Sequence, residues 1–107
     1  MNDALRAAIE PVILALLDEQ PDHGYSLLGR IKARTGTDLS DGSLYPALAR
    51  LEAAGKIEGS WSSTGAGGRR RKIFCLSKKG RGQLNRMRSQ WMPFVHAMNK
   101  LFGVEGA

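Results

Sequence analysis

Apolar residues recur at helical spacing near the start of the chain, where Leu5, Ile9, Val12, Ile13, Leu16 and Leu17 predict a helix from Ala4 to about Glu19. Pro11 lies inside this stretch. Its ring crowds the carbonyl four residues back and it has no N–H, so the pattern predicts a kink near Ala7 or a helix that begins at Pro11. Gln20, Pro21 and Asp22 read as a turn. A second helix is expected from about Gly24, with Tyr25, Leu28 and Ile31 on one face and Gly36 placed to end it in a left-handed cap. Leu39 stands alone in a polar connector, enough for one β-bridge. Ser40 or Asp41 then caps a third helix, whose Leu44, Leu48 and Leu51 face the core. Pro46 crowds the carbonyl of Gly42 and predicts an irregular start to that helix, which Gly55 closes.

Beyond Gly55 the period changes. Lys56 to Trp61, carrying Ile57 and Trp61, reads as a strand, and so does Arg71 to Leu76, carrying Ile73 and Phe74. Ser62 to Gly68 between them consists of small residues, so the two strands form a hairpin with a basic end. Ser77 caps a last helix running to about Phe102. Its Leu84, Met87, Trp91, Phe94, Met98 and Leu101 are spaced three, four, three, four and three apart, a heptad seam that Pro93 should bend. Three short helices cannot cover both this seam and the apolar face of the first helix. A homodimer follows, with Leu5, Ile9, Val12, Leu84, Met87, Trp91, Phe94, Met98 and Leu101 as the expected contact. The fold class is α+β and mainly α: a winged helix-turn-helix over residues 1–76 with a two-stranded wing, then a long C-terminal dimerisation helix over 77–107, together one structural domain.

Composition sharpens this picture through the placement of charge. The formal net charge is +6. From Gly59 to Val104 there is no acid, while Arg69, Arg70, Arg71, Lys72, Lys78, Lys79, Arg81, Arg86, Arg88 and Lys100 all fall there. Such asymmetry suits a protein that presents one face to a polyanion; the duller alternative is a basic surface kept for solubility. Cys75 is the only cysteine, so no disulfide or cysteine-based zinc site is expected, and a reducing cytoplasmic setting, associated with the nucleoid, fits. The longest apolar segment, Val12 to Leu17, is too short to span a bilayer, and no signal peptide is read at the start. No membrane, metal or cofactor is expected. Scattered Ser, His and Asp types form no catalytic set, so no enzymatic activity is expected either.

Several motifs in order resemble the PadR family of bacterial transcriptional regulators: His23-Gly24-Tyr25, Gly42-Ser43-Leu44-Tyr45-Pro46-Ala47-Leu48 with Arg50-Leu51-Glu52, Gly55-Lys56-Ile57, Gly67-Gly68-Arg69-Arg70-Arg71-Lys72, and Leu76-Ser77 followed by Gly80. The match covers about residues 5 to 84, and the single C-terminal helix resembles the family's small-subunit branch. The resemblance implies a homodimeric repressor on a palindromic, inverted-repeat operator in double-stranded DNA, released by an effector. For some short-branch members it further implies that a small aromatic effector lies between dimer-related tryptophans, at the position of Trp91. Cys75 and Pro93 depart from common family usage.

The residues expected to touch DNA are Tyr25, Ser40, Ser43, Tyr45, Pro46, Arg50, Gly68, Arg69, Arg70, Arg71 and Lys72. Ser43 and Tyr45 offer hydrogen bonds, Pro46 offers apolar contact to a thymine methyl, and the arginines offer charge to phosphates. Each has a plainer alternative. Tyr45 can pack against the second helix, and Arg50 can pair with Glu52 or an acid of that helix. The candidate ligand residues Trp91, Phe94, Val95 and Met98 can equally be interface core. His23 is expected to cap or pack at the start of the second helix. Two other functions stay open: a sequence-independent architectural DNA binder, and a winged-helix module that docks onto an acidic protein.

Overall fold

The computed structural model describes residues 3–62 and 70–104. The elements run α1 (Asp3–Ala7), α2 (Ile9–Glu19), β1 (Asp22–His23), α3 (Gly24–Thr35), α4 (Asp41–Ala53), β2 (Ile57–Ser62), β3 (Arg71–Leu76) and α5 (Lys78–Phe102). Pro11 does what its chemistry requires. The first predicted helix breaks at Ala8, which adopts φ −100° and ψ 21°, and resumes as α2.

The core gathers around α2. Ile13 and Leu14 are fully buried and Leu16 and Leu17 nearly so. Against them pack Leu27 and Ile31 of α3, Leu44, Ala47, Leu48 and Leu51 of α4, Ile57 and Phe74 of the sheet, and Leu84 of α5. Burial of each such Leu or Ile stabilises the fold by roughly 1.5–3 kcal/mol.

The sheet is antiparallel in the order β1-β3-β2. The hairpin register runs from Ile57 opposite Leu76 to Ser62 opposite Arg71. A third strand, β1, pairs Asp22 with Phe74 and His23 with Ile73 on the other edge of β3. The sequence pattern gave Asp22 to a turn and assigned the bridge to Leu39; instead Leu39 is buried in the core and its connector carries no strand. A two-residue strand has no alternation to reveal it, and a lone apolar residue is equally well explained by burial.

Helix ends follow local chemistry. Ser26 N–H donates to His23 Nδ1 at 3.3 Å at the start of α3, and Gly36 ends that helix at φ 73°. Ser40 Oγ accepts from the Ser43 N–H at 3.2 Å at the start of α4. Gly55, at φ 74°, closes α4 as a Schellman turn: its N–H donates to Glu52 O at 3.0 Å and the Lys56 N–H to Leu51 O at 2.9 Å. Both α4 and α5 continue through their internal prolines, Pro46 and Pro93.

The start of α5 is seated on the α4–β2 turn. Ser77 Oγ donates to Gly55 O at 2.6 Å and accepts from the Gly80 N–H at 3.1 Å. Gly80 is buried so closely that an added Cβ would lie 2.0 Å from the Lys56 carbonyl oxygen. Asp18 of α2 then holds α5 from the side, accepting from Arg81 at 2.5 Å and Arg88 at 3.1 Å. Past this clamp α5 projects away from the body, and the described residues span 53 × 29 × 20 Å.

The close approach at Gly80 sets a test by paired substitutions. Gly80→Ala should destabilise the protein by about 2 kcal/mol or more, because the obstacle is backbone that cannot rotate away. Gly29→Ala, in α3 with no atom within 4 Å of the new Cβ, should instead stabilise by about 0.5–1 kcal/mol. Thermal melts of the two variants should shift in opposite directions; a Gly80→Ala protein that melts no lower than the native one would contradict the packing described at Gly80.

Candidate nucleic-acid interface

Helix α4 turns Leu44, Leu48 and Leu51 inward, so its opposite face is solvent-facing by the helical repeat. Pro46, Ala49 and Arg50 are exposed on it, and Ser43 is half-buried. Tyr45 is 45% exposed, yet its ring also covers the start of α3: an added Cβ on Gly24 would lie 2.7 Å from the ring. The packing alternative for Tyr45 is therefore seen directly, with the hydroxyl end of its ring lying over Gly24 at the start of α3 while nearly half of the residue stays open to solvent. Tyr25, beside Gly24, is 79% exposed. Ser40 is occupied by its cap and by a 3.2 Å contact with the Ser43 hydroxyl. Arg50 donates to Glu10 of α2 at 3.1 Å, a different acid from those expected. At such exposure an ion pair contributes at most about 1 kcal/mol and yields readily to a phosphate.

The hairpin places its cations unevenly. Lys72 points to the α4 side and donates to Glu52 at 2.8 Å, so it braces the sheet against α4 and is not an unpaired charge offered to DNA. Arg71 is exposed, with Nη1 3.2 Å from His23 Nε2. Arg70 lies over the ring of Trp61, Cζ 5.4 Å from its centroid. Among the described residues, neither Arg70 nor Arg71 pairs with a carboxylate. Gly68 and Arg69 lie outside the described residues.

A buried carboxylate fixes α3 against α2. Asp22 accepts from the His23 N–H at 2.9 Å, the Ser26 hydroxyl at 2.7 Å and Arg30 at 3.1 Å. Arg30 also donates to the Leu16 carbonyl at 2.9 Å near the end of α2 and to Glu19 at 3.0 Å. Burial works against the charge on Asp22, but the Ser26, His23 and Arg30 donors outweigh it and hold the carboxyl below its ordinary value of 3.8. The Ser26 N–H fixes the His23 ring through Nδ1, and the Arg71 guanidinium lies beside the other ring nitrogen.

A second surface is apolar. Between α1, α2 and α5 runs an open groove of about 420 Å³, lined chiefly by Leu5, Ala8, Pro11, Val12, Met87 and Trp91. Trp91 and Phe94, each about half exposed, stand 5.6 Å apart at 43°. Phe94 borders a smaller adjoining hollow, and Val95 and Met98 line neither. Leu101 and Phe102 are 78% and 71% exposed. Ile9 and Leu84, assigned to a partner by periodicity, are already buried within the chain. Among the described residues no group of three or more His, Cys, Asp or Glu is arranged to hold a metal ion, and no helix is long and apolar enough to cross a membrane.

Sequence reasoning named Tyr45, Pro46 and Arg50 on the exposed face of α4 but missed Trp61 and Glu10 as partners of the cations and offered Glu52 to Arg50, where it pairs with Lys72. Trp61 had a legible signal, since it directly precedes the small-residue loop and lies across the hairpin from the arginines.

The Asp22 carboxylate allows a test by pH. A group whose pKa is lowered by folding stabilises the fold above its unfolded value, and that contribution is lost as pH falls through the lowered one. Asp22→Asn should cost on the order of 1–3 kcal/mol near pH 7. The difference in Tm between variant and native protein should narrow below about pH 4. A difference constant down to pH 3 would mean that the charge on Asp22 contributes nothing.

Comparison with known proteins agrees with this geometry. The model of the Transcriptional regulator PadR-like family matches residues 13–86. A transcriptional regulator from Clostridium thermocellum superposes with a TM-score of 0.81 at 26% identity, covering 92% of this chain and 97% of that one. A PadR-like transcriptional regulator from Bacillus cereus superposes at 0.79 with 28% identity, covering 97% of this chain and all (100%) of that one. A 37.1 kDa protein of transposon TN4556 from Streptomyces fradiae is 37% identical over 102 residues; these make up 95% of this chain and only 25% of that protein.

Proposed function

Because the chain belongs to the PadR-like family of transcriptional regulators, whose members are regulators and not enzymes, we propose that it binds double-stranded DNA as a homodimer and represses transcription from an inverted-repeat operator. The observation that carries this reading is the juxtaposition of an exposed α4 face with a hairpin whose Arg70 and Arg71 lack carboxylate partners among the described residues. In it, α4 enters the major groove with Ser43, Tyr45 and Pro46 towards the bases, Tyr25 and Arg50 meet phosphates, and the wing follows the backbone. The dimer covers the apolar groove and the bare seam of α5, from Met87 through Trp91 and Phe94 to Leu101. A small planar aromatic effector inserts beside Trp91 and Phe94 and shifts the dimer between DNA-binding and released arrangements.

One observation favours the architectural alternative. Few of the exposed side chains on α4 can make bidentate base contacts, and Arg50 is engaged by Glu10. Binding would then rest on phosphate contacts and duplex shape without reading a sequence.

Selection of genomic fragments by the purified protein at near-physiological salt, followed by sequencing, separates the readings. Recovery of an inverted repeat is the expected result, and uniform recovery would favour the architectural binder. For the effector, planar aromatic compounds should quench tryptophan emission in the native protein and fail to do so in Trp91→Leu. No response across a varied panel would leave Trp91 as interface core.

A further inference from the structure

We propose that Trp61 is a positioning residue of the wing, its ring serving as the platform that holds the Arg70 guanidinium ready for a phosphate of duplex DNA. The proposal rests on the DNA-binding reading above and deepens it.

Strand alternation puts Ile57, Gly59 and Trp61 on one face of the hairpin, opposite Leu76, Phe74 and Lys72. Ile57 and Phe74 are buried on that face, but by Trp61 the ladder has run past the core and the ring is 58% exposed. What it meets are two cations, Arg70 at 5.4 Å and Lys72 at 5.8 Å from the ring centroid.

The two cations differ in what they have left to offer. Lys72 is neutralised by Glu52 at 2.8 Å and lies 5.5 Å from the Phe74 ring, so it is a structural brace. Arg70 has the ring as its partner and, among the described residues, no carboxylate. A carboxylate would occupy the N–H edge of a guanidinium and cancel its charge. An aromatic face does neither: the contact uses the guanidinium's flat side, while its donors lie in the plane and point outward. Trp61 therefore orders a long side chain before binding and leaves its charge and donors intact. Part of the entropy cost of immobilising Arg70 then falls in the unbound protein and not at the moment of association. Exposed, planar and uncompensated, such a group suits a phosphate, which takes two parallel N–H donors.

The test is a double-mutant cycle on the full chain, read as affinity for a labelled duplex of mixed sequence over a range of salt. Trp61→Leu should weaken binding roughly three- to tenfold, and Trp61→Phe should recover most of the loss. Arg70→Ala should flatten the dependence of log affinity on log salt by about 0.9 for each subunit engaged, about 1.8 for the dimer. In the Arg70→Ala background, Trp61→Leu should cost nothing further, since its effect passes through the arginine. Additive losses would overturn the platform, as would native affinity in Trp61→Leu. Circular dichroism melts check folding; if Trp61→Leu melts early, Trp61→Phe and Trp61→Thr, β-formers with and without a ring, make the comparison. If the native chain binds no duplex at any salt, it is the DNA reading that fails; if it binds but the cycle is additive, only the platform fails.

Discussion

Everything else in the molecule is placed by the burial of α2. This 11-residue helix buries Ile13 and Leu14, successive residues that point in different directions around its axis, and so must be covered on more than one side. It touches α3, α4, β3 and α5, which means that α4 and the projecting α5 are both positioned by the same element. The side of α2 bearing Val12 and Ala15 is only partly covered by α5, and the residue of that mismatch is the apolar groove. One short helix, apolar from Pro11 to Leu17, thus explains both the packing of α3, α4 and β3 around it and the unfinished surface beside it.

Charge is sorted by the same packing. The raw asymmetry of the sequence overstates the cationic face, because Arg81 and Arg88 are engaged by Asp18 and Lys72 by Glu52. These pairs fix α5 on α2 and the sheet on α4, where orientation matters more than the modest stability that partly exposed ion pairs provide. Acids from the first half of the chain have been assigned to basic residues that serve structure. What remains without a carboxylate partner on the hairpin, among the described residues, is Arg70 and Arg71.

Much of the fold was legible because it is written locally. Ser40, Ser77, Gly36 and Gly55 act within one turn of where they stand, and Pro11 breaks its helix through its own ring. The motifs shared with PadR regulators likewise sit on these local elements. The unread features are long-range. The strand β1 exists only because β3 lies beside it, and the pairs Glu10–Arg50, Glu52–Lys72 and Asp18–Arg88 join residues 40, 20 and 70 positions apart. No periodicity encodes such partnerships. The heptad seam of α5 was legible as a pattern, but a pattern does not say which partner each position meets: Leu84 meets the chain's own core, while Leu101 meets solvent.

The exposed aromatic residues separate into two chemical classes, and the separation indicates two kinds of partner. Tyr25 and Tyr45 carry hydroxyls, and Trp61 is bracketed by cations, so the surface they share with α3, α4 and the wing mixes flat apolar area with donors and positive charge. Such a surface gains little from burial against another apolar face, because its donors and charges would lose water without replacement. It suits a partner that is itself charged and hydrated. Trp91 and Met92 instead line the groove, Phe94 borders the hollow adjoining it, and Leu101 and Phe102 stand exposed further along α5. Covering these residues with apolar side chains costs few polar groups their water, so they suit an apolar occupant, such as the second copy proposed above, and not DNA.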